Sequence, residues 1–253
     1  MRSFSSLLAI ALIFTLAVAQ AEEVTVAVAA NFTAPMQEIA TAFAEDTEHQ
    51  ARTAFASSGR FYAQIHNGAP FEVFLSADET TPARLAEDGM TVPDTRFTYA
   101  QGSLVLWSAD PERIPAGEGA AVLHAGDFRK LAIANPRTAP YGAAAIAVMQ
   151  ALGVEDSLRP KFVQGENLPQ TYQFISTGNA ELGFVALSQV IKDGEISAGS
   201  GWLVPEELHA PIRQDAVLLT RGADNPAARA LLDYLQGERA QAIIRAYGYH
   251  LPN

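Results

Sequence analysis

The chain has 253 residues, 49% of them hydrophobic, so it can bury one large core or two of ordinary size. Its formal net charge of −11 argues against nucleic acid and anionic membrane surfaces as partners. Cysteine is absent, so the fold must be held by its core alone, and a freely diffusing protein without a lipid anchor is expected.

In chain order, the first segment reads as a targeting signal. Residues 1–21 hold one early basic residue, Arg2, an apolar run over 7–18, and then Ala19-Gln20-Ala21, which fits an A-x-A cleavage site. The run falls short of the ~20 residues that span a bilayer, so cleavage after Ala21 and an exported mature chain are expected.

Short apolar runs then alternate with segments of helical period. A strand over 24–28 precedes Phe32, Met36, Ile39 and Phe43, which fall on one helix face. The cycle repeats at 51–56 followed by Phe61 and Ile65, and at 71–75 followed by a helix around 82–88. Repeated βα units predict an α/β fold with mainly parallel sheets flanked by helices.

A strand-like run at 103–107 follows Gly102 and marks a crossing into a second unit. That unit carries a strand at 131–134, an alanine-rich helix at 142–152, a helix at about 169–177 and a strand at 182–186. A further run at 216–220 ends at Arg221-Gly222, and helices at 226–236 and 239–247 close the chain. The expected organisation is two lobes joined by two crossings, with 22–101 and 221–253 in lobe 1 and 102–220 in lobe 2. One large sheet would fit the same periodicity.

Catalytic patterns are missing. His49, His66, His124, His209 and His250 are scattered without metal-ligand spacing, and no G-x-S-x-G elbow or phosphate-binding loop occurs. Gly117-Glu118-Gly119 begins a dinucleotide-like pattern, but Val122 stands where its third glycine belongs. Glu45-Asp46 and Glu206-Glu207 read as solvated faces, not as a general acid and base.

Four short segments do carry chemistry: Ala29-Ala30-Asn31, Ala56-Ser57-Ser58-Gly59, Pro140-Tyr141-Gly142 and Glu166-Asn167-Leu168-Pro169. Each lies where a strand passes into a helix, and the first turn of a helix offers unpaired N–H groups and a positive dipole end to an anion. Asn31 and Ser58 fit either as side-chain donors or as simple caps. Arg60 fits as a cation for the site or as a solvent-facing residue.

Taken together, these segments resemble the periplasmic molybdate-binding components of ABC transporters, within the two-lobed periplasmic-binding-protein-like fold. The resemblance also rests on Gly68-Ala69-Pro70-Phe71-Glu72-Val73-Phe74-Leu75-Ser76-Ala77-Asp78, Ala134-Asn135-Pro136 and Ala246-Tyr247-Gly248-Tyr249, and it covers essentially all of the chain after the signal.

It implies oxyanion contacts at Asn31, Ser58, Tyr141 and Leu168, the last two chiefly through backbone N–H, with Ala30 a lesser candidate. Molybdenum would be held only as the oxyanion, with molybdate or tungstate as the ligand, no cofactor and no catalytic residue. It further implies a periplasmic monomer that hands its ligand to a membrane permease.

Two departures bear on selectivity: Asn31 stands where many members carry serine, and Ala186 where some carry a tyrosine. A sulfate or other small-oxyanion binder of the same fold and, further off, a secreted enzyme are the alternative readings.

Overall fold

The computed structural model describes residues 22–192 and 194–252; the signal segment and its cleavage site lie outside them. Three βα units open the chain: β1 (Glu23–Ala29) and α1 (Thr33–Thr47), β2 (Gln50–Ala56) and α2 (Ser58–His66), β3 (Val73–Leu75) and α3 (Thr80–Glu87), followed by β4 (Phe97–Gly102). Val24, Val26 and Val28 point to one face of β1, against Phe32, Met36 and Phe43, while Ala27 joins Phe61 and Phe74 on the other. Both faces are therefore buried, as helices on either side of a parallel sheet require.

Only Ser103 separates β4 from β5 (Leu104–Ser108), which begins the second sheet. There follow α4 (Gly119–Ala125), β6 (Leu131–Ala134), α5 (Pro140–Ala151), α6 (Glu155–Leu158), β7 (Phe162–Gly165), α7 (Leu168–Ser176) and β8 (Leu182–Ala186). A hairpin of β9 (Ile191–Lys192) and β10 (Glu195–Ile196) leads to β11 (Ser200–Leu203). β12 (Ile212–Leu218), α8 (Pro226–Leu235) and α9 (Glu238–Ala246) complete the order.

The first sheet has the order β2-β1-β3-β12-β4 and the second β11-β5-β8-β6-β7. The expected parallel βα core is three strands in each, β2-β1-β3 and β8-β6-β7. β12 pairs antiparallel with β3 and β4, and β5 antiparallel with β8 and β11, so both sheets are mixed. β5 and β12 are the strands that enter from the other lobe, without the crossover helix that a parallel neighbour needs.

The return crossing expected near residue 220 falls earlier. Ala216, Val217 and Leu218 are hydrogen-bonded to Leu75, Phe74 and Val73 of the first sheet, so the chain leaves the second sheet after β11 and crosses within 204–211. An apolar run reports burial, not which of two sheets it joins, and this strand is buried wherever it pairs.

The alanine-rich α5 packs closely on its own sheet: a Cβ at Gly142 would stand 2.2 Å from the Ala134 carbonyl oxygen. Gly142→Ala is expected to destabilise the protein by about 1–3 kcal/mol through overpacking. Urea unfolding monitored by circular dichroism checks this.

Candidate functional site

Four βα junctions meet at one small cavity lined by both lobes. Ala30 and Asn31 come from the 3-10 turn after β1, and Ser57 and Ser58 from the start of α2. Pro140 and Tyr141 come from the start of α5, and Asn167 and Leu168 from the start of α7. The structure thus brings together all five residues singled out from the sequence. Arg60 is exposed, and neither it nor Ala186 is among the lining residues.

Local sequence determines which donors remain free. In α5, Pro140 has no N–H, and the amides of Gly142 and Ala143 bond to the Ala139 carbonyl, which leaves Tyr141. In α7, Pro169 has no N–H, Gln170 N–H is taken by the Asn167 side chain at 3.0 Å and Thr171 N–H by the Asn167 carbonyl, which leaves Leu168.

In α2, Gly59 N–H donates to Thr138 O of the other lobe at 2.9 Å, and the amides of Arg60 and Phe61 donate to Ser57 O, which leaves Ser58. The first-turn amides of Ala30 and Asn31 precede the ladder of α1 in the same way. Ser58 also accepts the Ala77 N–H at its Oγ, 2.9 Å away, so the hydroxyl hydrogen remains available to a ligand. Ser58 is the first residue of α2, after the N-cap Ser57, and no side-chain cap bond forms at this helix start, so its hydroxyl is not spent on capping.

Asn31 behaves differently from the sequence expectation of side-chain donation. Its Nδ2 donates to Gln214 Oε1 at 2.9 Å and to the Tyr249 hydroxyl at 3.1 Å, which uses both amide hydrogens. Asn31 is therefore left with its backbone N–H as the donor for an anion. Gln214 and Tyr249 escape sequence reasoning because they lie 183 and 218 residues away. The only signals are a glutamine inside an apolar strand and the Tyr247-Gly248-Tyr249 ending.

Every residue lining the cavity is uncharged. Among the described residues no cluster of three His, Asp or Glu is placed to hold a metal ion. The phenols behind the cavity are held neutral: burial pushes Tyr99 and Tyr141 well above the usual phenol range, and Tyr249 up to about 12. The arrangement is a set of fixed dipoles around a small space, and among the lining residues no nucleophile and base are in contact.

Residues 24–250 match the family described as bacterial extracellular solute-binding protein. The molybdate-binding protein ModA of Azotobacter vinelandii is 59% identical over 92% of each chain, and that of Rhodobacter capsulatus is 55% identical over 95% of this chain and 94% of its own length. A solved Azotobacter vinelandii periplasmic molybdate-binding protein superposes with a TM-score of 0.87 at 40% identity, covering 91% of this chain and all of that one. Each of these relatives is named for binding molybdate.

The buried phenols give a test of the site's packing. Because their folded-state pKa values are raised, the stability they carry is complete below the ordinary phenol value of about 10 and is lost as pH rises through the folded values. Alkaline difference spectroscopy at about pH 11 should therefore count Tyr99, Tyr141 and Tyr249 as still protonated, with urea stability falling above about pH 10.

Proposed function

The chain belongs to the bacterial extracellular solute-binding protein family, and from that premise we propose that it captures molybdate between its lobes outside the cytoplasm. Tungstate is the second ligand, and the loaded protein presents the ion to the membrane permease of an ABC transporter. The observation that supports the reading is that Ala30, Asn31, Ser58, Tyr141 and Leu168, each at the first turn of a helix, line one uncharged cavity together, with the Ser58 hydroxyl hydrogen uncommitted.

A tetrahedral dianion offers four oxygens as acceptors and no donor, which suits a wall of N–H and O–H groups. Each hydrogen bond to a charged oxygen contributes about 1.5–3 kcal/mol, so several are needed to offset the desolvation of the ion. Protonated oxyanions such as hydrogen phosphate bring an O–H that these donors cannot accept, and an unpaired polar group is costly. Sulfate carries no proton at neutral pH, so it must be discriminated by the size of the cavity.

Lobe 1 supplies Ala30, Asn31 and Ser58, and lobe 2 supplies Tyr141 and Leu168, with the lobes taken as 22–102 plus 212–252 and 104–203. An ion that bonds to both favours the closed arrangement over an open one by the full strength of the second set. Export with cleavage after Ala21 and action as a monomer belong to the same proposal. No helix among the described residues is long and apolar enough to cross a membrane.

Isothermal titration of the ligand-stripped protein tests the reading: one-to-one binding of molybdate and tungstate, with sulfate much weaker, is expected. Sulfate preference would change the ligand, and absence of oxyanion binding would sink the function. Ser58→Ala should weaken molybdate binding by about 1–3 kcal/mol and also lower the melting temperature, because Ala77 N–H loses its buried acceptor.

A further inference from the structure

Behind the cavity, hydrogen-bonded side chains run from lobe 2 through lobe 1 and back to lobe 2. The Ser188 hydroxyl donates to Asn31 O at 3.0 Å, and the Tyr249 hydroxyl donates to the same carbonyl at 2.9 Å while accepting Asn31 Nδ2. Asn31 Nδ2 also donates to Gln214 Oε1, and Gln214 Nε2 donates to the Tyr141 hydroxyl at 3.1 Å. Ser188 follows β8 and Tyr141 opens α5, both in the second lobe; Asn31, Gln214 and Tyr249 belong to the first.

Gln214 is the centre of this chain. It is fully buried on β12, the strand that follows the return crossing, and its Oε1 also lies 3.0 Å from the Tyr99 hydroxyl. Tyr99 is the extra residue of a bulge in the β4–β12 pairing, where Gln214 and Asp215 face Ala100 and Thr98. A bulge turns side chains out of the regular alternation, and here it places the phenol against the carboxamide. The first crossing is close as well, because a Cβ at Gly102 would stand 1.8 Å from the Tyr141 hydroxyl.

The orientation of Gln214 follows from its partners. Turned the other way, its Nε2 would face Asn31 Nδ2, donor against donor. One carboxamide therefore bonds to two residues whose backbone amides face the cavity, Asn31 from one lobe and Tyr141 from the other.

We infer that Gln214 is a positioning residue that couples ion capture to lobe closure, by tying Asn31 to Tyr141 within a neutral clasp completed by Tyr249 and Ser188. The inference rests on the proposed capture of an oxyanion at this site. The clasp forms only when the lobes stand as they do here, so it adds to the ligand's own bridging and slows release. The same bonds hold the Asn31 side chain back, so that its amide nitrogen N–H and not its carboxamide faces the ion.

The test compares wild type, Gln214→Leu, Tyr141→Phe and the double variant, by stopped-flow and calorimetric titration with molybdate and by hydrogen exchange of the ligand-free proteins. Gln214→Leu is expected to raise Kd about 10–100-fold, mainly through faster release. Tyr141→Phe should raise Kd several-fold alone but by less than about twofold in the Gln214→Leu background, since the shared bond is already gone. Exchange at residues 30–33 and 186–190 should quicken in Gln214→Leu without ligand.

A purely structural role would lower the melting temperature and leave the two substitutions independent. Affinity within about twofold of wild type, or effects that multiply, overturns the inference. Should Gln214→Leu not fold, Tyr249→Phe breaks the same clasp at its other end and must show the same faster release and exchange. Failure of wild type to bind molybdate, tungstate or sulfate would remove the proposed function instead, while the ligand-free exchange would still decide the clasp.

Discussion

An ion with two negative charges leaves water at large cost, and this cavity offers it no cation. In the proposed capture, what would replace hydration is a small number of fixed dipoles, and the number available per helix is the governing constraint. A helix start leaves up to four amides unpaired, yet each of α2, α5 and α7 has spent all but one. No single helix can hold the ion. On the proposed reading the donors must be gathered from four βα junctions in two lobes, so the candidate site exists only as a product of the overall fold.

That constraint explains why the junctions carry proline and capping residues so close to the cavity. Pro140 and Pro169 delete amides that would otherwise need partners, and Asn167 satisfies Gln170 N–H. The remaining N–H groups are held by helix backbone and need no rotamer search, so little ordering cost falls on binding. All four junctions lie at the carboxyl ends of β1, β2, β6 and β7, which are parallel within their sheets. This is where open α/β sheets place ligands. The net charge of −11 does not oppose capture, because a diffuse surface field is screened within about 8–10 Å while these donors act at contact.

Much of this was legible in the sequence because it is local. Val24, Val26 and Val28 declare a strand, Phe32, Met36 and Phe43 a helix, and the small or polar residues between them a junction with free amides. The four junction segments could be named for the same reason, whereas the choice of Ala30, Asn31, Ser58, Tyr141 and Leu168 within them came from the family resemblance. What escaped was set by contacts between distant segments: the sheet that β12 joins, and the use of both Asn31 amide hydrogens by Gln214 and Tyr249. A side chain's donors can be counted from the sequence, but whether they are already committed depends on residues that only folding brings near.

The polar character of the region behind the cavity follows from the demands on a hinge. Sealing Gly102 and β12 with apolar side chains would add about 25 cal/mol for every Å² that opening exposes, so a tightly packed greasy hinge would hold the lobes in one state. Hydrogen-bonded groups behave otherwise, because water can replace each partner and the net difference is only about 0.5–1.5 kcal/mol per bond. Asn31, Gln214, Tyr141, Tyr249 and Ser188 thus form contacts specific in geometry but shallow in energy. Because the phenols are neutral and their pKa values are raised, such contacts do not change with pH below about pH 10. Specific geometry with a small opening cost is what the proposed cycle of ion capture and release requires.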